Sequence, residues 1–151
     1  MSLPERKSPR LRSFDYASEN YYFVTICTRD KRCLFGNGAE LTLLGTLAER
    51  ELLRIPQRCP GVRIDKYVVM PNHVHAIVVL GCDGAERSRP LPTLSTIVGL
   101  YKSGVSRLAG RPLWQKSFYD HIIRNEESYL EIWRYIDENP LKWREDELYT
   151  V

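Results

Sequence analysis

Apolar residues along the chain alternate between two spacings. Tyr21-Tyr22-Phe23-Val24-Thr25-Ile26-Cys27-Thr28 is a run of aromatic and β-branched residues and predicts a strand. Arg29-Asp30-Lys31 and Gly36-Asn37-Gly38 then mark connections. Val62 to Met70 predicts a second strand and Asn72 to Leu80 a third, joined at Pro71-Asn72 as an antiparallel hairpin. Trp114 to Ile123 predicts a fourth, with Phe118 and Tyr119 at its centre. Between these runs the spacing turns helical. Leu43, Leu44, Leu47, Leu52 and Leu53 share one side of a helix, with Glu49, Arg50, Glu51 and Arg54 as its polar surface, ending before Pro56 or fraying by Pro60. Leu94, Ile97, Val98, Tyr101 and Val105 outline a second helix capped by Thr93, with Gly99 and Gly104 weakening it. Asn125 caps a third, Glu126 and Glu127 suit its first turn, and Pro140 ends it soon after Asn139. Leu130, Ile132, Trp133 and Ile136 are its packing residues.

The order strand, helix, strand, strand, helix, strand predicts an α+β fold with a split βαβ core and an antiparallel sheet. Helices on one side leave the other sheet face available for a site. Residues 1–20 have no sustained period and read as a flexible N-terminal arm; residues 21–151 read as a single domain. At 151 residues and 43% apolar, the chain suits one compact core and excludes wholesale disorder. No apolar run approaches the roughly 20 residues of a membrane span, and no apolar region follows the basic start. Cys27, Cys33, Cys59 and Cys82 are not closely paired as zinc-ribbon ligands are; they read as reduced thiols in a cytoplasmic protein, Cys27 being buried.

A formal charge of +3 does not by itself identify a nucleic-acid binder. Its distribution says more. Arg6, Lys7, Arg10 and Arg12 stand against Glu5 alone, and Arg87, Arg89, Lys102, Arg107, Arg111 and Lys116 against Glu86 alone. Acidic residues concentrate after Asn125, so the folded chain can present a basic face while staying near neutral overall. An ordinary surface with uneven charge fits these numbers as well.

His73-Val74-His75 holds two of the three histidines. Residues i and i+2 share a strand face, so both imidazoles can approach one metal ion from one side. The same spacing also occurs simply as two polar residues on a sheet face. Tyr135 and Asn139 lie one helical turn apart on the last predicted helix and face the same side. An asparagine carbonyl can join two neutral imidazoles as a third ligand, while a helix tyrosine can equally be a packing residue. No compact acidic constellation is evident near the histidine pair, which argues against a two-metal carboxylate nuclease. Gly81-Cys82-Asp83-Gly84 lacks the Gly-Lys-Ser/Thr of a phosphate loop, and no nucleophile elbow supports a serine hydrolase.

Pro71-Asn72-His73-Val74-His75, Trp114-Gln115, Phe118-Tyr119-Asp120-His121-Ile122-Ile123-Arg124-Asn125, Tyr135-Ile136 and Asn139-Pro140 together closely resemble the REP-associated tyrosine transposases. These belong to the single-tyrosine HUH transposases, named for histidine, hydrophobic residue, histidine. The resemblance spans about Tyr21 to Trp143 and rests on several separated motifs agreeing in order and spacing. It implies a ferredoxin-like split βαβ core with an additional C-terminal tyrosine-bearing helix. It also implies Tyr135 as the catalytic nucleophile, and His73, His75 and Asn139 as metal ligands. His121 is an auxiliary candidate whose role stays open.

The activity so implied is metal-dependent cleavage and strand transfer of single-stranded DNA at repeated palindromic or hairpin sequences, through a 5′-phosphotyrosine. Oxygen-transfer chemistry favours magnesium or manganese; zinc is more natural if histidines dominate the site. DNA-binding candidates are Arg6, Lys7, Arg10, Arg12, Arg87, Arg89, Lys102, Arg107, Arg111, Gln115, Lys116 and Arg124. The expected partner is single-stranded DNA bearing a palindromic hairpin, with no membrane. The protein would act as a monomer or homodimer in the cytoplasm, at the nucleoid. The alternatives are a noncatalytic nucleic-acid-binding protein of the same fold and a metal-dependent hydrolase of a small phosphoester.

Overall fold

The structure, a computed structural model, describes residues 20–81 and 91–150. The expected arm lies outside the described residues but for Asn20, as do Arg6, Lys7, Arg10, Arg12, Arg87, Arg89 and Cys82. The elements run β1 (Asn20–Cys27), α1 (Leu43–Leu53), α2 (Ile55–Arg58), β2 (Val62–Met70), β3 (His73–Leu80), α3 (Leu94–Ala109), β4 (Tyr119–Ile123) and α4 (Glu126–Glu138). A 3-10 segment, Asn139–Glu145, follows α4 directly. The four strands pair antiparallel in the order β2-β3-β1-β4. The result is a mixed α/β fold whose crossovers carry helices, in keeping with a split βαβ-type core.

Strand alternation divides the interior into two cores. Val24, Ile26, Val74, Ala76 and Val78 point to one face, where they pack against Ala48 and Leu52 of α1 and Ile97, Val98, Tyr101 and Val105 of α3. Tyr21, Ile77, Val79 and Ile123 point to the other, against Tyr129, Trp133 and Ile136 of α4. Every residue of β3 is buried, as a central strand covered on both faces must be. The helix α4 therefore lies on the sheet face opposite α1 and α3, and it leaves part of that face open.

The predicted helix ends are observed. Thr93 Oγ1 accepts from the Thr96 N–H at 3.1 Å, and Asn125 Oδ1 from the Ser128 N–H at 2.7 Å. Two expectations change. In α1 the leucines do not share the buried side: Leu43 is 87% exposed and Leu53 50%, whereas Ala48 and Leu52 are buried. Glu51, expected on the surface, is buried between Arg54 and Arg58 at 3.0 and 3.1 Å. The apolar count misled because a small residue and a paired charge let α1 sit close to α3. The fourth strand is also shorter than Trp114–Ile123. Ser117 has φ 74°, which interrupts extended backbone, and only Tyr119–Ile123 pairs regularly with β1. Trp114 instead makes an isolated bridge to Thr28. Among the described residues no helix is long and apolar enough to cross a membrane.

Candidate metal centre and tyrosine

Strand register builds the site. On the α4 face, His75 stands opposite Thr25 of β1 and Val68 of β2, and His73 opposite Cys27 and Met70. Both imidazoles are buried, with ring centroids 4.5 Å apart. Each ring has its Nδ1 already engaged. His75 Nδ1 is 2.9 Å from Thr25 Oγ1, and His73 Nδ1 is 2.8 Å from Asn72 Oδ1. Asn72 has no freedom to turn over, because its Nδ2 donates to the Leu148 carbonyl at 2.7 Å and the Lys31 carbonyl at 3.3 Å. Its oxygen must accept from His73 Nδ1–H, which leaves the Nε2 lone pair free.

That lone pair faces Asp146, whose Oδ2 is 3.7 Å from His73 Nε2. Ligand atoms of His73, His75 and Asp146 all lie within 4.8 Å of one another. The chain places Asp146 by leaving α4 at Pro140 and winding through the 3-10 segment. The Asp146 N–H then donates to the Trp143 carbonyl at 3.1 Å, and its Oδ1 accepts from the Leu148 N–H at 2.8 Å. Gly38, at φ 98°, makes room for the Trp143 ring; a Cβ there would sit 2.9 Å from Trp143 Cδ1. Asn139 is the residue on which α4 ends, and it is buried.

His73 Nε2, His75 Nε2, Asn139 Oδ1 and Asp146 Oδ2 are all buried without a hydrogen-bond partner. Buried polar atoms are normally paired. Here two nitrogen and two oxygen lone-pair donors stand unsatisfied around the end of β3. The His73, His75 and Asp146 donors fit a divalent cation, which would give those three orphan atoms a partner.

Burial favours the neutral imidazoles. It holds His73 down to about 4, against the opposing pull of the Asp146 charge and of Asn139 nearby. Burial and then the charge of His73 hold His75 well below its ordinary value, against a backbone contact from Val24. Both rings are therefore neutral, ligand-competent bases at neutral pH. Tyr135, on α4, is 44% exposed, and its ring centroid lies 5.3 Å from His75 and 6.2 Å from Phe23. Burial and the Asp146 and Glu147 charges push its phenol up, while Asn139 pulls it down. A cleft of about 480 Å³ runs between Tyr135, Asn139, Asp146 and Glu147.

The structure thus brings His73, His75, Asn139 and Tyr135 to one end of the sheet face. It adds Asp146, which the sequence reading passed over when it found no compact acidic constellation near the histidines. Asp146 lies seventy-odd residues downstream in an irregular acidic tail, where no periodicity marks one carboxylate over another. His121 lies on the edge strand opposite Phe23; it is exposed and outside the ligand cluster. Lys102 is already occupied, donating to the Gln115 and Ser117 carbonyls at 2.8 and 2.9 Å. Arg107, Arg111, Lys116 and Arg124 are exposed, and Gln115 is half-buried.

No family model matches the chain. An uncharacterized protein of Haemophilus influenzae is 38% identical over 171 aligned positions, which cover 98% of this chain and 95% of that protein. Among solved structures, a REP-associated tyrosine transposase bound to a REP hairpin superposes with TM-score 0.64 at 25% identity, covering 82% of this chain and 67% of that one. A putative transposase from Deinococcus radiodurans R1 shares the fold, with TM-score 0.52 at 17% identity, covering 84% of this chain and 94% of that one. With a His73-His75-Asp146 triad consistent with the HUH superfamily and a fold similar to these transposases, the chain belongs to one family with the Haemophilus influenzae protein.

Proposed function

We propose that the protein is a REP-associated tyrosine transposase that cuts and rejoins single-stranded DNA beside a palindromic hairpin, with Tyr135 as nucleophile. The observation that carries this reading is the placement of the Tyr135 ring against His75, beside four buried donor atoms that lack partners. The sheet order, with α1 and α3 on one face and α4 on the other, supports a ferredoxin-like core with an added tyrosine-bearing helix in a single domain from residue 21 onward.

In the proposed step Tyr135 Oη forms a bond to phosphorus as the bond from phosphorus to the 3′ oxygen breaks. The products are a 5′-phosphotyrosine and a strand ending in a 3′-hydroxyl, which takes up a proton. The phenol proton leaves through the solvent-facing cleft; no side chain is assigned as its general base. A later 3′-hydroxyl attacking the phosphotyrosine releases Tyr135 and joins two strands with no net loss of phosphodiester bonds. A bound magnesium or manganese ion, held by His73 Nε2, His75 Nε2, Asn139 Oδ1 and Asp146 Oδ2, would polarise a nonbridging phosphate oxygen. Asn72 holds the His73 imidazole in the tautomer that ligation requires, and Thr25 orients the His75 ring. Burial, with the Asp146 and Glu147 charges, raises the phenol above its ordinary value, and a cation would offset the part due to charge. Substrate is single-stranded DNA with a hairpin, met at the nucleoid in the cytoplasm by a monomer or homodimer.

The test uses 5′- and 3′-labelled hairpin oligonucleotides drawn from repeated palindromes, with manganese or magnesium, followed by peptide mass mapping. A covalent adduct at Tyr135, lost in Tyr135→Phe while binding persists, is the expected result. Attachment elsewhere overturns the assignment. Metal-dependent turnover of a small phosphoester with no adduct favours the hydrolase alternative.

A further inference from the structure

Beyond the metal centre, the segment leading into β4 runs antiparallel beside the end of β1. Arg29 N–H donates to the Leu113 carbonyl at 2.9 Å, Thr28 bridges Trp114, Gln115 N–H donates to the Cys27 carbonyl at 2.9 Å, and Tyr119 stands opposite Thr25. This ribbon ends at the site, because Thr25 is the residue bonded to His75 and Cys27 pairs with His73. A second cleft, of about 550 Å³, opens along it between Arg29, Asp30, Lys31 and Trp114-Gln115-Lys116.

The chemistry of this cleft is one-sided. Arg29, Lys31 and Lys116 line it, with Asp30 the one acidic lining residue. All three cationic side chains are exposed, and among the described residues none has an ion pair or hydrogen bond at its charged head. Asp30 and Lys31 both hold left-handed backbone, at φ 57° and 55°, an unusual conformation for lysine that the Lys31 carbonyl's bonds from Asn72 and Thr150 help fix. The floor is firm: the Trp114 indole donates to the Lys102 carbonyl at 3.1 Å, and the Lys102 ammonium ties down the Gln115 and Ser117 carbonyls. Tyr119 is 64% exposed on the same sheet face as His75. Free cations followed by an open aromatic ring are what a single strand asks for, since phosphates meet charge and unpaired bases stack.

We infer that this ribbon is the track for the single-stranded DNA flanking the cut, with Arg29, Lys31 and Lys116 contacting its phosphates and Tyr119 stacking the base that leads to Tyr135. The inference rests on the single-stranded-DNA reading above and adds residues to it.

The experiment measures binding of the full chain to a labelled oligothymidylate, and to an abasic strand of equal length, by fluorescence anisotropy across a salt series with chelator present. The variant Arg29→Gln/Lys31→Gln/Lys116→Gln should bind oligothymidylate more weakly and lower the log–log salt slope by about 2, the share of three phosphate contacts on a single strand. Tyr119→Leu should lose roughly fivefold or more in affinity for oligothymidylate and nothing for the abasic strand. All four side chains are exposed, and matched thermal unfolding curves confirm that the variants fold. A wild-type salt slope retained by the triple variant overturns the track, and equal losses on both strands by Tyr119→Leu overturn the stacking contact. If either occurs while wild type still forms the Tyr135 adduct, the proposed chemistry stands without the track. Absence of both single-strand binding and adduct in the wild type overturns the two together.

Discussion

Asn72 shows how one side chain sets the chemistry of another. Its two donor contacts fix the direction of its oxygen, and that oxygen fixes the proton on His73 Nδ1. Asn72→Ala removes the acceptor and frees the ring to rotate or change tautomer. Metal affinity should fall about 10- to 100-fold, the usual cost of losing a partner behind a ligating histidine. Isothermal titration with manganese checks this, and Asn72→Asp, which keeps the acceptor but sets a carboxylate oxygen against the Leu148 and Lys31 carbonyls, should not restore full affinity. Asp146→Asn tests the carboxylate itself. It retains an oxygen donor but removes the negative charge, so affinity should drop while the phenol of Tyr135, relieved of that charge, titrates lower than in wild type. A spectroscopic pH titration of Tyr135 in the metal-free protein that moved upward would contradict this account.

At the scale of elements, α4 carries Tyr135 and ends on Asn139, and its first turn is anchored by the Asn125 cap. Asn125→Ala should cost about 1 kcal/mol of stability, measured by denaturant unfolding, by leaving a first-turn N–H unsatisfied. Capping, the hairpin and the shared face of His73 and His75 were legible in the sequence because each depends on neighbours within a few residues. Thr93, Asn125 and the bounds Val62–Met70 are cases in point. The buried side of α1 was not, because it depends on what α1 meets. Glu51 is buried where Arg54 and Arg58 reach it, and Leu43 is exposed because its side chain points away from the elements that bury Gly45, Ala48 and Leu52. Asp146 was illegible for a related reason. Its approach to His73 depends on the path of the tail after Pro140, held by Leu148 on Asn72 and by Trp143 in the space at Gly38. Residues 114–118 were read as part of one strand from Trp114 to Ile123, since the left-handed turn at Ser117 leaves no mark in an apolar pattern.

For the whole molecule, the buried histidines couple folding to pH. In the unfolded chain both titrate near the ordinary value of 6.5, while in the folded protein His73 is held down to about 4 and His75 well below normal. Below pH 6.5 the unfolded state therefore binds protons that the folded state refuses, and stability falls as pH drops from about 6.5 toward 4. Above 6.5 both states carry neutral imidazoles, and these groups contribute no further dependence. Metal adds a second linkage with a different profile. A cation bound to the folded site alone stabilises by about 2.7 kcal/mol at a free concentration one hundred times its dissociation constant. Because folded His73 resists protonation until about pH 4, that increment should hold nearly level from neutral pH down to about 5 and collapse only near 4. Surface histidines would instead lose their metal as pH passed through 6.5. Differential scanning calorimetry with and without manganese, at pH values spanning this window, separates the two. A metal-dependent rise in Tm that vanished near pH 6.5 would show that the ion is held by exposed imidazole and not at this buried centre.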